Sequence, residues 1–240
     1  MANLNKIYNS SEIVRYYSLN RNKWKHLYKS ERKIISKLNL NKSSRVLDIG
    51  SACGGLGEVL RQKYNIKSYD GIEINKKAYL YSKLKNPKFN FCNSDLLNYQ
   101  KRKKKISRFE FVFSLGCVDW NLEFDKMLKK AWKHVEKKGF LIITLRLTDI
   151  SKFKKSYQYI NFYKRKRGEK ANYQVLFFKN LSKKLSKFNM SKILSYGYWG
   201  KPNPTVVTTH KRIFFIALAI QKNNTKKNLI SSDKLDHLIK

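Results

Sequence analysis

The stretch Arg45-Val46-Leu47-Asp48-Ile49-Gly50-Ser51-Ala52-Cys53-Gly54-Gly55-Leu56-Gly57 decides the fold. A short apolar run passes directly into a glycine-rich turn, the way a buried parallel strand hands the chain to a helix that receives a ligand. Val46, Leu47 and Ile49 suit a strand covered on both faces. Gly50, Gly54 and Gly55 lack the Cβ that would hold a ligand away from the backbone, so a ligand is expected against the main chain.

The dinucleotide fingerprint G-x-G-x-x-G also follows a strand and opens a helix, but the spacing here is different. From Asp48 the run reads Asp-x-Gly-x-Ala-x-Gly, with an acid two residues before the first glycine and Ala52 where a dinucleotide site wants its second glycine. Two later acids continue the pattern. Glu73 ends the strand-like run Lys67-Ser68-Tyr69-Asp70-Gly71-Ile72-Glu73 and lies 23 residues after Gly50 (73 − 50), and Asp95 follows Phe89-Asn90-Phe91-Cys92-Asn93-Ser94.

These three motifs resemble those of the class I S-adenosylmethionine-dependent methyltransferases, over about residues 45–222. The resemblance implies a Rossmann-like α/β fold: a seven-stranded, mostly parallel sheet with an antiparallel last strand and helices on both faces. It also implies S-adenosyl-L-methionine as cofactor, with Asp48, Gly50, Ser51, Ala52 and Gly54 around the amino-acid and ribose portions. Glu73 beside Ile74 would accept the ribose hydroxyls, and Asp95 beside Leu96 would accept from the adenine amine. An acid near position 73 also occurs in dinucleotide folds, so Asp95 discriminates better.

The remaining elements fit the same scheme. Residues 109–115 read as a fourth strand, residues 123–135 as a helix and residues 139–147 as a fifth strand, an alternation that argues parallel pairing with right-handed crossovers. Residues 192–198 and 212–220 are strand-like and are joined by a turn-rich loop holding Pro202 and Pro204. Residues 11–40 read as an amphipathic helical segment with a break near Ser18 and a cap at Ser30. It is expected to form part of an N-terminal lid (1–40), although Trp24 and Tyr28 at helical spacing also suit plain packing. A methyltransferase domain (41–222) follows, with an insertion at about 147–178 beside the ligand crevice, then a polar tail (223–240) predicted mobile and given no chemistry.

The chain has 240 residues, within reach of one α/β core. Its longest apolar run, residues 213–220, is far short of the roughly 18 residues of a membrane span. The N-terminus lacks a signal-peptide apolar region, and three scattered cysteines suggest a reducing cytoplasm rather than a disulfide framework. No zinc spacing is present, and no metal is expected. The net charge of +37 draws attention to nucleic acid, but lysine dominates over arginine in a composition also rich in Asn, Ile, Tyr and Phe, as an AT-rich genome produces. Sequence-specific readers favour Arg for bidentate base contacts.

A sulfonium methyl is already electrophilic, so a base is useful only for a hydroxyl or ammonium acceptor. Asp119, after the fourth strand, and His210, before the last, are the candidate bases. Asp119 reads equally as a cap for the next helix, and His210 as a surface hydrogen-bonding residue. His26, His134 and His237 are read as structural or exposed. In the family, enzymes acting on planar exocyclic nitrogens carry an Asn/Asp-Pro-Pro-aromatic turn where this chain has Leu115-Gly116-Cys117-Val118-Asp119-Trp120. Cytosine-C5 enzymes use a Pro-Cys pair, but Gly116 precedes Cys117, which is read as a small buried residue. The expected activity is methyl transfer to O or N of a small molecule or a glycan or lipid precursor. An RNA or protein acceptor on the basic surface is the alternative, and a cofactor-binding module without turnover is another.

Overall fold

The structure, a computed structural model, describes residues 11–99, 106–151, 156–160, 168–225 and 230. The basic cluster at residues 164–167, His237 and most of the tail lie outside the described residues, as do the first ten residues of the expected lid.

The chain enters through helix α1 (Ser11–Leu19), a 3₁₀ turn (Trp24–His26) and helix α2 (Lys29–Ile35). The break is where the sequence places it, but the cap is not. Ser30 is the second residue of α2, and the preceding Tyr28 is the boundary: its N–H donates to the Glu31 carboxylate at 2.7 Å. Next come β1 (Arg45–Ile49), α3 (Gly55–Tyr64), β2 (Ser68–Glu73), α4 (Lys76–Lys85), β3 (Asn90–Asn93) and β4 (Phe109–Ser114). Helix α5 (Phe124–His134) leads directly into the long strand β5 (Val135–Thr148).

The main sheet has the order β3-β2-β1-β4-β5-β11-β9, with β8 (Leu176–Phe177) pairing the end of β5. The pairs from β3 to β5 are parallel, whereas β11 (Ile213–Lys222) runs antiparallel to both β5 and β9 (Met190–Gly200). This is the architecture expected from the sequence. The return of β11 between β5 and β9 needs only a loop, because antiparallel neighbours require no crossover helix.

Alternation along the strands builds two cores. Leu47, Ile49, Leu141, Ile143, Leu145, Ile216 and Leu218 face α5 and α6 (Phe178–Leu185). Val46, Ile142, Ala217 and Ala219 face the other way, toward Ile34 and Ile35 of α2 and Val59 and Leu60 of α3. Ile230 is buried in the first core, which the polar composition of the residues around it does not reveal.

The insertion forms β6 (Tyr157–Tyr159) and β7 (Lys170–Asn172), which join β10 (Val206–Val207) in a three-stranded antiparallel sheet of order β10-β6-β7. The loop between β9 and β11 is thus tied to the insertion, a pairing too short to show period-two alternation in sequence. No helix among the described residues is long and apolar enough to cross a membrane.

Candidate active site

At the carboxyl ends of β1, β2 and β4 lies a cavity of about 350 Å³, within the usual range for small-molecule sites. Its floor includes Ile49, Gly50, Ala52, Ile72, Glu73 and Ile74. Ser94, Asp95 and Leu96 line it from the end of β3, and Leu115, Gly116, Cys117 and Trp120 from the turn after β4. Glu12, Ile13, Tyr16 and Tyr17 of α1 come from the N-terminal segment, while Gln158, Tyr159 and Ile160 come from the insertion. A smaller cavity of about 40 Å³ adjoins it, sharing Tyr17, Gly50, Ala52 and Leu115 and adding Arg21, Asp48, Ser51 and Cys53.

The glycine-rich turn owes its shape to the protein's own chain. Gly50 has φ +77°, and a Cβ there would lie 2.6 Å from Sγ of Cys117; a Cβ on Gly55 would lie 2.6 Å from the Arg21 carbonyl oxygen. Close approach by Cys117 and by the N-terminal segment therefore favours glycine at both positions. Ala52 takes φ +46°, a conformation L residues seldom adopt. Its N–H donates to Oε2 of Glu73 at 2.7 Å, and the Asn75 N–H donates to Oε1 at 2.8 Å.

Glu73 is thus buried but held by two backbone donors. Burial raises its carboxyl above the ordinary range and these N–H groups oppose the rise. Asp48 is buried with a single side-chain donor, the Tyr69 hydroxyl at 2.5 Å, and burial pushes it up to about 7. Asp95 accepts from the Leu97 N–H at 2.9 Å. Oγ of Ser51 is buried with no hydrogen-bond partner and lines the smaller cavity, where a ligand group with polar atoms would satisfy it. Burial also raises the Tyr17 hydroxyl well above the ordinary phenol range, so that group remains a donor.

The two expected bases sit elsewhere. Neither Asp119 nor His210 is among the residues lining either cavity. Asp119 lies in a 3₁₀ turn (Val118–Trp120) with its Oδ2 2.8 Å from Nη2 of Arg146. It does not cap the next helix either, since α5 starts at Phe124 after Glu123. The Arg146 guanidinium lies 4.8 Å from the ring centroid of Trp120 and 3.9 Å from that of Tyr173, two rings that meet edge to face at 5.9 Å. Its charge opposes the rise that burial imposes on Asp119. His210 is buried, with Nδ1 3.4 Å from Oγ1 of Thr148 at the end of β5. His134, read as structural, has Nδ1 3.0 Å from the Ser107 carbonyl.

Sequence reasoning missed Arg21, Tyr17, Asn203 and Thr205, none of which lies in a motif. Arg21 makes a bidentate pair with Glu31, 2.8 Å for each bond, and places its guanidinium beside the smaller cavity. Cys117, read as a small buried residue, is half-buried and lines the larger cavity, where desolvation raises its thiol above the ordinary range. Among the described residues no His, Cys, Asp and Glu cluster can hold a metal ion.

A family model described as a methyltransferase domain matches residues 22–193. No curated protein sequence matches the chain. Solved structures with a similar fold include the StiE O-MT segment, 12% identical, covering 88% of this chain and 77% of that one with a TM-score of 0.58. The YcgJ protein from Bacillus subtilis is 10% identical over 82% of this chain and 99% of its own, with a TM-score of 0.57. Phosphoethanolamine N-methyltransferase 2 from Haemonchus contortus, in complex with phosphomonomethylethanolamine and S-adenosylhomocysteine, is 13% identical over 80% of this chain and 52% of its own, with a TM-score of 0.58. At these identities the likeness is one of fold.

Proposed function

Because the chain belongs to the class I S-adenosylmethionine-dependent methyltransferases, matching their domain over more than half its length, we propose that it methylates an oxygen or nitrogen on a small molecule or on a glycan or lipid precursor. The observation that carries this reading is the cavity itself. Glu73 lies in its floor, and the N-terminal segment and the insertion wall the remaining space, which is of small-molecule size.

The residues present fit the cofactor. Glu73 would accept from the ribose hydroxyls, Asp95 from the adenine amine, with Ile74 and Leu96 beside them. Ser51, whose Oγ lacks a partner, Arg21, Asp48 and the turn from Gly50 through Ala52 to Gly54 would hold the amino-acid end. When bound, S-adenosylmethionine would supply an electrophilic methyl to an acceptor lone pair, with the C–S electrons going to sulfur and the acceptor's proton to solvent.

The protein's own work is orientation and exclusion of water. Tyr16 and Tyr17 of α1 and Tyr159 of the insertion wall the cavity, and α1 with the following turn acts as the lid. The Tyr17 hydroxyl, raised above the ordinary phenol range by burial, keeps its proton and does not serve as a base. Asp119 and His210 act in this reading as positioning residues, since neither side chain borders the cavity.

Titration calorimetry with S-adenosylhomocysteine tests cofactor binding, and NAD should not compete. Transfer of a labelled methyl to small-molecule fractions tests the acceptor class. The net charge of +37 favours an RNA or protein acceptor as a second reading. Stoichiometric label on RNA or protein would replace the first reading with the second.

A further inference from the structure

We propose that the rim of the larger cavity docks on an anionic lipid bilayer, so that the cavity opens onto the lipid surface; this rests on the methyltransferase reading above for the cavity's role. Among the described residues, seven of the ten large apolar or aromatic side chains left exposed gather at the carboxyl edge of the sheet, where that cavity lies. Tyr16 and Tyr28 line the cavity and are exposed as well, which makes them part of its mouth. Leu19 follows Tyr16 by three residues in α1 and so shares its side of the helix. Leu122 follows Asn121, a lining residue, and Ile150 lies two residues past the end of β5. Tyr198 and Trp199 of β9 pair with Phe215 and Phe214 of β11, and Phe214 pairs with Leu147 near that same end of β5. Of the other three, Leu80 and Leu84 belong to α4, Leu84 in its last turn, and Ile106 precedes β4 at the opposite edge of the sheet.

Leu19 and Leu122 are each 63% exposed. Aliphatic side chains gain by leaving water and have no ring to stack on a base, so with Ile150 they suit an apolar layer better than a nucleic acid. Tyr and Trp, each with an apolar body and a polar tip, suit the headgroup level of a bilayer. Two of these rings carry a cation: Cζ of Arg21 lies 4.8 Å from the Tyr28 centroid and Cζ of Arg212 4.4 Å from that of Trp199. Lys170, which pairs with Tyr159 across β6 and β7, and Lys201 and Lys211, which flank the loop between β9 and β11, are exposed at the same edge. The acids there are offset: Glu123 pairs with Lys126, Asp149 with Arg212, and Glu169 adjoins Lys170. Apolar side chains ringed by basic ones hold an anionic bilayer by two additive terms, burial and charge. The net charge of +37 strengthens the second at longer range.

Flotation of the full chain with vesicles tests this, comparing equal parts of phosphatidylcholine and phosphatidylglycerol with pure phosphatidylcholine in about 0.15 M salt. The anionic vesicles are expected to bind at least about tenfold more tightly than the neutral ones. Leu19→Ser combined with Ile150→Ser should weaken that binding by about threefold or more, whereas Leu84→Ser combined with Ile106→Ser should leave it unchanged. Leu122→Ser alone, expected to weaken it as well, decides if the first pair does not fold. No binding to anionic vesicles, equal binding to both kinds, or equal losses in the edge and control variants overturns the proposal. So does a loss of poly(U) binding in the edge variants that matches their loss of vesicle binding, which would assign the rim to nucleic acid. Calorimetry keeps the two readings apart: failure to bind S-adenosylhomocysteine sinks the methyltransferase reading, whereas failure of vesicle binding in a chain that binds it sinks only this one.

Discussion

Oδ2 of Asp119 lies 2.8 Å from Nη2 of Arg146, and the two side chains are only 4% and 7% exposed. The pair joins the turn after β4 to the end of β5, and the guanidinium rests against both Trp120 and Tyr173, whose rings meet edge to face. One wall of the cavity therefore depends on a buried ion pair.

Removing one partner of a buried pair leaves the other charge uncompensated. Asp119→Asn is expected to lower folding stability by about 3–5 kcal/mol, measured by urea denaturation. Arg146→Met in the same chain should restore part of that loss. A general base would behave differently, with stability unchanged and turnover down by about 10²–10⁴.

Glu73 holds the Ala52 and Asn75 N–H groups in the floor of the cavity and, in the proposed reading, would also accept from the ribose hydroxyls. Glu73→Ala should weaken S-adenosylhomocysteine binding by about 1.5–3 kcal/mol or more in titration calorimetry. Asp95→Ala should cost less than Glu73→Ala, because the backbone donor that Asp95 holds is a local one at Leu97. Unchanged affinity in both folded variants would show that neither carboxylate meets the cofactor.

Asp48 should impose a pH dependence on stability. Its carboxyl is pushed up to about 7 in the folded chain from 3.8, chiefly by desolvation. Between these values the folded state keeps a proton that the unfolded state has lost, so the Asp48 contribution is fully present below about pH 4 and is lost as pH rises through 7. The loss is on the order of 4 kcal/mol. Denaturation midpoints of wild type and Asp48→Asn should thus diverge with rising pH, the variant gaining relative to wild type. Parallel curves would mean that Asp48 is ionised throughout.

Ala52 occupies left-handed backbone at φ +46°, which costs an L residue about 1–2 kcal/mol, against roughly 0.5–1 kcal/mol of extra chain entropy for glycine. Ala52→Gly should accordingly be neutral to stabilising by up to about 1 kcal/mol, with cofactor affinity retained. Gly55→Ala should go the other way, because its Cβ would meet the Arg21 carbonyl oxygen at 2.6 Å and displace the N-terminal segment. Thermal unfolding of the two variants checks both signs.

The sheet and the acids at its carboxyl edge were legible in the chain because both are encoded locally. Runs such as residues 45–49 and 109–114 carry their burial in consecutive residues, and the acids at 48, 73 and 95 sit at strand ends whose spacing follows from strand and helix lengths. Even the antiparallel last strand was readable, since the connection before it holds two prolines and no helical stretch.

The other walls of the cavity were not encoded in that way. Asp119 reads as a base or a cap until β5 brings Arg146 beside it, and no spacing rule relates positions 119 and 146. Tyr17, Gln158 and Thr205 meet around one cavity only because α1, a three-residue strand of the insertion and the loop before β10 converge there. Such short pieces have no periodicity to read, and their register is set by cross-strand pairing. The strands and the carboxylates at their ends were therefore determined by sequence alone, because their burial pattern and spacing are local. The remaining walls of the cavity were decided by tertiary structure, because they are contacts between segments far apart in the chain.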